Sequence, residues 1–285
     1  MEDRIIVGDV EITCVTDARG AFPPKLSVLF PSVTAEQWRP YRRDYPEAFV
    51  DPDTWHLHIA CYLLRTRDTT LLVDTGIGPS PAPLFGELRG DLIHQLRLAG
   101  VETADVNTVF LTHLHPDHSG WNLSDGKPTF PNARYVMSET DWKTFQQPVV
   151  QAAIGFSFVD EMLTPLEAAG VLQLIDGETP LTDEVTALPA PGHTPGHMVV
   201  AVSSRGQKAM ILGDVLVHPA HVSEPEWVFA FDMDPVLAVA TRKKLLGRLE
   251  MEAMTAAQCH LPPPGFGLVV RTEGRRHWQP LERPD

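Results

Sequence analysis

Three histidines and a carboxylate stand within six consecutive positions. His113, His115, Asp117 and His118 form the pattern H-x-H-x-D-H, which arises by chance in roughly one chain of this size in a thousand. Imidazole nitrogens and carboxylate oxygens are the ligands that zinc and related transition metals prefer. Alternate residues at a strand end point the same way, so His113 and His115 can bind one ion. Asp117 and His118 lie past the turn and can face a neighbouring ion.

Three more candidate ligands follow, each at a turn after an apolar run. Residues 191–197 read Pro-Gly-His-Thr-Pro-Gly-His, a turn in which either His193 or His197 can approach a metal. Asp214 follows the apolar run 208–212. A carboxylate there can bridge two cations, although a strand-end aspartate is more often a cap or a turn former. His260 precedes a proline-rich turn and, taken alone, is more often an ordinary histidine than a ligand.

The predicted elements place these residues at strand ends. A buried strand at 108–112 leads straight into His113, and the strand pair 198–202 and 208–212 leads to Asp214. Strands and helices alternate with no linker, which predicts a single α/β domain over 1–285. Residues 20–54 contain six prolines among aromatics and predict an irregular insertion with short helices. The other predicted strands are two short ones within 4–13, then 55–64, 70–73, 133–137, 172–175 and 185–188, and the predicted helices are 88–99, 139–146 and 235–254.

Composition excludes several classes of partner. The chain has 285 residues, 43% of them hydrophobic, and a formal net charge of −14. We expect a globular protein whose charge disfavours nucleic acid and anionic membrane surfaces. Its three cysteines, Cys14, Cys61 and Cys259, are too far apart for a CxxC metal site and favour a reducing compartment. The start lacks a leader pattern and no apolar run is long enough to span a bilayer, which predicts a cytoplasmic protein.

Taken together and in this order, the motifs resemble the metallo-β-lactamase superfamily of binuclear metallohydrolases. The shared pattern comprises Asp74-Thr75-Gly76, residues 112–118, Gly192-His193, Gly213-Asp214 and His260. The resemblance implies an α/β fold, a four-layer αβ/βα sandwich with the metals at one edge between two sheets. It also implies a role for each candidate: His113, His115 and His193 bind a first ion, Asp117, His118 and His260 bind a second, and Asp214 bridges them. His197 would be structural, and Asp74 would orient ligands without touching metal.

Within the superfamily, the chain is similar to the group that holds N-acyl homoserine lactonases and methyl parathion hydrolase. The similarity is carried by the N-terminal hairpin, the proline-rich insertion, residues 130–135, and residues 231–234 leading into Thr241-Arg242. Known homoserine lactonases place a tyrosine shortly after the bridging aspartate, whereas every tyrosine here lies at or before Tyr135. His218 and His221 follow Asp214 instead, which tilts the resemblance toward the methyl parathion hydrolase side.

The resemblance implies a hydrolase with two divalent ions, zinc first, with manganese, cobalt and iron as alternatives. A metal-bridging hydroxide would cleave an uncharged, fairly apolar lactone, ester or organophosphate triester, with Asp117 or Asp214 passing the proton to the leaving group. Two other activities stay open. A mononuclear iron persulfide dioxygenase needs only one ion. A glyoxalase II-like thioesterase shares the ligands but binds glutathione through basic residues in a C-terminal domain.

Apolar side chains in the predicted insertions are candidates for contact with a small-molecule substrate. Trp121 follows the metal motif by three residues, and His218 follows Asp214. Ordinary core packing is the alternative for each aromatic side chain in the group. The insertion at 20–54 can also serve a homodimer contact. The predicted contacts are Trp121, His218, Phe22, Trp55 and Phe229. The wider group of candidates in these insertions also holds Leu26, Phe49, Phe156, Phe158, Trp227 and His221.

Overall fold

The computed structural model describes residues 3–79, 83–154 and 163–281, so Phe156 and Phe158 lie outside the described residues. The strands are β1 (Arg4–Val7), β2 (Val10–Lys25), β3 (Phe49–Asp51), β4 (Thr54–Arg65), β5 (Thr70–Val73), β6 (Thr108–Phe110), β7 (Leu123–Ser124), β8 (Lys127–Pro128), β9 (Arg134–Ser138), β10 (Leu172–Ile175), β11 (Thr179–Pro180), β12 (Val185–Pro189), β13 (Met198–Ser204), β14 (Gln207–Ile211), β15 (Thr255–Ala257), β16 (Phe266–Thr272) and β17 (Arg275–Pro280). The α-helices are α1 (Leu26–Leu29), α2 (Arg39–Asp44), α3 (Leu92–Leu98), α4 (Pro116–Ser119), α5 (Glu139–Phe145), α6 (Pro148–Ile154), α7 (Thr164–Ala168), α8 (Ala220–Ser223) and α9 (Pro235–Met251). Within these ranges no helix is long and apolar enough to cross a membrane.

Most strands belong to two large sheets. The first has the order β1-β2-β4-β5-β6-β9-β10 with β3 paired to β4, and the second runs from β11 to β17 in sequence order. Four neighbouring pairs are parallel, namely β5–β6, β6–β9, β9–β10 and β14–β15. Parallel pairs need long crossovers. Those crossovers carry most of the helices and several residues of the candidate centre.

Side chains alternate between the two faces of each sheet and so define the layers. Val200 of the second sheet and Phe110 of the first belong to one buried cluster between the sheets. The preceding residue, Val199, packs on the opposite face with Leu246 of α9. The outer face of the first sheet, including Leu63, packs against α3, α5 and α7. Helices therefore cover both outer faces, and the predicted four-layer αβ/βα sandwich is confirmed.

The predicted helix 235–254 has a defined start and an earlier end than predicted. Asp234 is its N-cap, because the Asp234 side chain accepts a hydrogen bond from the Leu237 backbone N–H at 3.0 Å. Pro235 occupies the first helical position, where its missing N–H costs no hydrogen bond. The helix ends at Met251 because Ala253 adopts a positive φ of 47°, which no helix can continue through.

The insertion predicted at 20–54 begins later than the prolines suggest. β2 continues to Lys25, and its pairing with β4 shifts register between Ala21 and Lys25, where Pro23 and Pro24 lie. A register shift of this kind accommodates prolines without ending the strand. The irregular segment therefore starts at Leu26 and contains α1, α2 and β3.

Candidate metal centre

Four separate segments of the described chain bring the candidate ligands together. His113 and His115 follow β6, and Asp117 and His118 lie in α4 directly after them. The remaining three follow strands of the second sheet, His193 after β12, Asp214 after β14 and His260 after β15.

The first group of donor atoms comprises His113, His115, His193 and Asp214, whose ligand atoms all lie within 4.8 Å of one another. The Nδ1 atom of His115 is 3.0 Å from His113 Nε2 and 2.9 Å from His193 Nε2. The Oδ2 atom of Asp214 is 3.2 Å from His193 Nε2. Three imidazoles and one carboxylate oxygen thus surround a common point.

The second group uses the other oxygen of Asp214. Its Oδ1 atom lies 3.2 Å from His118 Nε2 and 3.1 Å from His260 Nε2. The Oδ2 atom of Asp117 is 3.5 Å from His260 Nε2 and 3.8 Å from His118 Nε2. Asp214 therefore faces both groups at once, which is the arrangement of a bridging carboxylate.

The spacing of these donors fits divalent cations. Two ligands that each lie about 2.0–2.1 Å from a tetrahedral zinc ion are about 3.4 Å apart, close to the separations within both groups. Imidazole nitrogens that face each other need a proton or a cation between them. Among the described residues the buried Nε2 atom of His118 finds no partner with hydrogen-bond geometry, so its lone pair is available to a cation. The residues present thus fit two ions, one in each group.

The electrostatics of the centre also favour bound cations. Burial and neighbouring imidazoles lower the pKa values of His113 and His115 well below the ordinary value of histidine, so both keep the lone pairs that a metal needs. Burial opposes ionisation of Asp214, but the imidazoles of His260, His118 and His193 outweigh it and hold the pKa of that carboxyl well below its usual range. Asp214 is therefore an anion at neutral pH. Burial lowers the pKa values of His118 and His260, but neighbouring acidic groups, Asp214 among them, outweigh it and raise both well above the ordinary value of histidine. In the metal-free centre these two imidazoles therefore carry the positive charge that the buried Asp214 requires, and bound cations would take over that role.

Groups behind the ligands set the orientation of each imidazole ring. His118 Nδ1 donates to Asp74 Oδ2 at 2.8 Å, and His260 Nδ1 donates to the His58 carbonyl at 2.9 Å. Donation from Nδ1 leaves the Nε2 lone pair facing the centre. His197 points elsewhere, because its Nε2 accepts the Asp214 backbone N–H at 2.9 Å. The predicted structural place of His197 and the place of Asp74 behind the ligands match these contacts.

Two glycines permit the close approach of the ligand loops. Gly192 has a φ of 136°, and a Cβ there would lie 2.3 Å from the Ala238 nitrogen. Gly213 has a φ of 49°, and its Cβ would lie 2.7 Å from His197 Nε2. A larger residue at either position would displace the adjacent ligand, His193 or Asp214.

A cavity of about 650 Å³ opens onto the centre. Of the candidate ligands, His115, Asp117, His193, Asp214 and His260 line it, and neither lysine nor arginine is among its described lining residues. Most of the remaining wall is apolar, with Thr144 and Gln147 as polar members. Aliphatic side chains share this wall with six aromatic ones, namely Phe22, Trp55, Phe85, Phe145, Phe229 and Phe231.

Three of the described substrate contacts predicted from sequence lie on this wall, and two do not. Phe22, Trp55 and Phe229 line the cavity. Trp121 instead donates its indole N–H to Asp17 at 2.9 Å. His218 has no exposed surface and packs edge-on against Trp38 at a centroid distance of 4.9 Å. The prediction that His218 contacts substrate is therefore corrected, since other protein side chains enclose it. Trp121 is only partly buried, and its contact with substrate stays a prediction.

Two residues beside the centre make contacts that were not predicted from the sequence. Cys259 is buried, and its Sγ lies 3.6 Å from Asp214 Oδ1. Asp232 accepts a hydrogen bond from His193 Nδ1 at 3.0 Å. An aspartate just before a helix predicts an N-cap, and Asp234 has that role here, so no local signal distinguished Asp232.

Comparisons with known proteins agree with this geometry. A family model described as the Metallo-beta-lactamase superfamily matches residues 55–260. The N-acyl homoserine lactonase AiiA of Bacillus thuringiensis subsp. kurstaki is 25% identical over 205 residues, which cover 67% of this chain and 76% of that protein. The structure of AidC, a dizinc quorum-quenching lactonase in complex with the product N-hexnoyl-L-homoserine, matches with a TM-score of 0.82 and 27% identity, covering 99% of this chain and 98% of AidC. The hydrolase AbOPH, in the beta lactamase superfamily, matches with a TM-score of 0.85 and 25% identity over the same shares of the two chains.

Proposed function

The chain belongs to the metallo-β-lactamase superfamily and is a metal-dependent hydrolase, and on that premise we propose that it cleaves uncharged, apolar lactones with two divalent ions. Esters and organophosphate triesters of similar shape belong to the same proposal. Zinc is the first choice of metal, since imidazole and carboxylate donors suit it.

The observation that carries the proposal is the cavity wall. Beside the ligands, its described members are apolar or neutral, so a charged substrate would lose its hydration without gaining a partner. Aromatic and aliphatic side chains instead favour an apolar chain or ring, by about 25 cal/mol per Å² buried. The lactonase relatives and the product bound to AidC support lactones within this class.

The ligand arrangement supports a binuclear centre. When bound, two divalent ions would supply a water of lowered pKa as nucleophile and positive charge for the developing oxyanion. Asp214 would hold both ions, since one of its oxygens faces each group of imidazoles.

Asp117 is our candidate for moving the proton to the leaving oxygen. Its side chain is 15% exposed against 5% for Asp214, and it lines the cavity. A proton carrier must reach the substrate, and Asp117 is the more accessible of the two carboxylates. Asp117→Asn should therefore lower kcat far more than it raises KM.

The test combines metal counting with a substrate panel. Purified protein is analysed for bound metal and then assayed on N-acyl lactones of increasing chain length, aryl esters, organophosphate triesters and an aminolactone with a free ammonium group. We expect about two metal equivalents per chain, chelator-sensitive hydrolysis, and KM values that fall as the acyl chain lengthens. The aminolactone is the matched control, because it keeps the reacting ring but adds a charge.

Three results would contradict the proposal. Hydrolysis that persists after complete metal removal would refute the metal mechanism. Preference for the aminolactone would refute the substrate class. One equivalent of iron, with oxygen consumed in the presence of a persulfide and no lactone hydrolysis, would identify the dioxygenase alternative.

A further inference from the structure

Asp232 is a carboxylate enclosed entirely by protein and bonded on both oxygens. Its side chain has no exposed surface. Oδ1 accepts a hydrogen bond from His193 Nδ1 at 3.0 Å. Oδ2 accepts one from Arg242 Nη2 at 3.2 Å and one from the Phe229 backbone N–H at 3.3 Å. Three donors from three places in the chain thus meet one carboxylate.

Arg242 links the same carboxylate to the loop that carries Asp214. Its guanidinium is fully buried, and Nε donates to the carbonyl of Val215, the residue after Asp214, at 2.8 Å. Nη1 donates to the carbonyls of Pro225 and Trp227 at 3.0 and 2.9 Å. One side chain from α9 therefore ties the Asp214 loop to the segment that contains Asp232.

The segment around Asp232 also contacts His193 through its backbone and forms part of the cavity wall. The Met233 N–H donates to the His193 carbonyl at 2.9 Å, and the Asp234 N–H donates to the Gly192 carbonyl at 2.9 Å. Phe229, on the same segment, lines the cavity and stacks near His193 at a centroid distance of 6.2 Å. A shift of this wall would therefore move the ligand with it.

We propose that Asp232 is a positioning residue that holds His193 with Nε2 facing the first ion, and that Arg242 fixes Asp232 in that position. The inference rests on the proposed function, because it takes His193 to be a metal ligand. A carboxylate that accepts from Nδ1 sets the tautomer and orientation of a ligating imidazole, and its loss typically weakens metal binding about 10–100-fold. Arg242 extends this control to the cavity wall and to the Asp214 loop.

Asparagine at position 232 is the informative substitution. The amide has the size of the carboxylate but only one acceptor oxygen. With that oxygen toward His193, the amide NH2 faces the donors of Arg242 and Phe229, and after a flip it faces the donor of His193 instead. Either orientation places a donor against a donor, so His193 loses its fixed orientation.

The test is the titration of metal-free protein with cobalt, with binding monitored by calorimetry and by the visible absorption of bound Co²⁺. His260→Ala removes a proposed ligand of the second ion and identifies that binding step. Asp232→Asn should weaken the other step about 10–100-fold and leave the step marked by His260→Ala in place. Asp234→Asn is the matched control two positions away, because Asp234 caps α9 without contacting His193, and it should leave both steps as in the parent protein.

Three results with Asp232→Asn would overturn the inference. Both cobalt-binding steps could stay unchanged, both could weaken equally, or only the step identified by His260→Ala could weaken. Asp232→Glu provides a second variant that keeps the buried charge and should show the same selective loss to a smaller degree. Binding of a single cobalt ion by the parent protein would refute the binuclear proposal. Selective weakening of a first-ion step by Asp232→Asn would still support the positioning role.

Discussion

We expect Asp17 to make the stability of this protein depend on pH through hydrogen bonds to Ile77, Leu92 and Trp121, none of which is a candidate metal ligand. Its carboxylate accepts hydrogen bonds from the backbone N–H groups of Ile77 and Leu92 at 2.6 and 2.8 Å and from Trp121 Nε1 at 2.9 Å. Burial raises the pKa of Asp17 from 3.8 to about 6, although these hydrogen bonds act in the opposite direction. We predict that Asp17→Asn removes this source of pH dependence.

The sign and the size follow from linkage. A carboxyl whose pKa is raised by folding binds its proton more tightly in the folded state, so its contribution to stability is present below pH 3.8 and is lost as the pH rises through about 6. At 1.36 kcal/mol for each tenfold change in proton affinity, the whole effect is about 3 kcal/mol, and about 2 kcal/mol of it falls between pH 4.5 and 7.

The assay is urea unfolding of metal-free protein at several pH values across that range. The stability of the parent protein minus that of Asp17→Asn should fall by about 2 kcal/mol from pH 4.5 to pH 7. Trp121→Phe is the companion variant. It removes one donor that lowers the pKa of Asp17, so its own stability should fall more steeply with pH than that of the parent.

A stability difference between parent and Asp17→Asn that is constant or grows with pH would refute the reasoning. It would show that Asp17 is ionised in the folded protein across the whole range, so that its three hydrogen bonds outweigh its burial.

Three further predictions concern α9, the metals and the cavity rim. Gly247→Ala should raise the free energy of unfolding by about 0.5–1 kcal/mol in urea titrations. Gly247 lies within α9, and outside that helix the one described atom that a Cβ there would approach is Arg276 Nη2, at 3.7 Å. A loss of stability would show that this space is not available. Chelation should lower the melting temperature measured by calorimetry, because the ionised Asp214 loses its cations. Re-addition of zinc should restore the melting temperature. Equal melting temperatures with and without metal would contradict the assigned centre. Val149→Glu, at a lining position that is 72% exposed, should raise KM for long-chain lactones about three- to tenfold through lost apolar contact. Leu98→Glu, at an exposed position of α3 that is not among the described lining residues, should leave steady-state kinetics unchanged. Equal KM values for the two variants would refute a role of Val149 in substrate binding.

The ligands near β6 were predictable because their donors are local in sequence. His113, His115, Asp117 and His118 all follow one strand. The alternation of side chains along that strand and the turn directly after it are enough to predict that these four side chains converge. The choice between His193 and His197 needed more than local pattern. Both lie in the same turn, and only the fold shows that His197 accepts the Asp214 N–H while His193 faces the centre.

The cavity wall was less predictable because apolar side chains look alike in a sequence whether they line a cavity or fill a core. Phe85, Phe145 and Phe231 come from three separate segments that meet only in the folded protein. His218 shows the converse error. It lies four residues from Asp214, yet its ring packs among Trp38 and Phe49 rather than against the cavity. Distance along the chain was a poor guide to exposure there.

The ligand loops come from both sheets, and this has a consequence for how the protein is made and how long it lasts. His113 precedes His260 by about half of the chain length, so a chain still emerging from the ribosome cannot complete the centre until β15 has been synthesised. Bound ions would then act as a late cross-link between the two halves. Because ligands that bind only the folded state stabilise it in proportion to the logarithm of their free concentration, the metal supply at the time of synthesis would govern how much protein escapes degradation as well as how fast it turns over substrate.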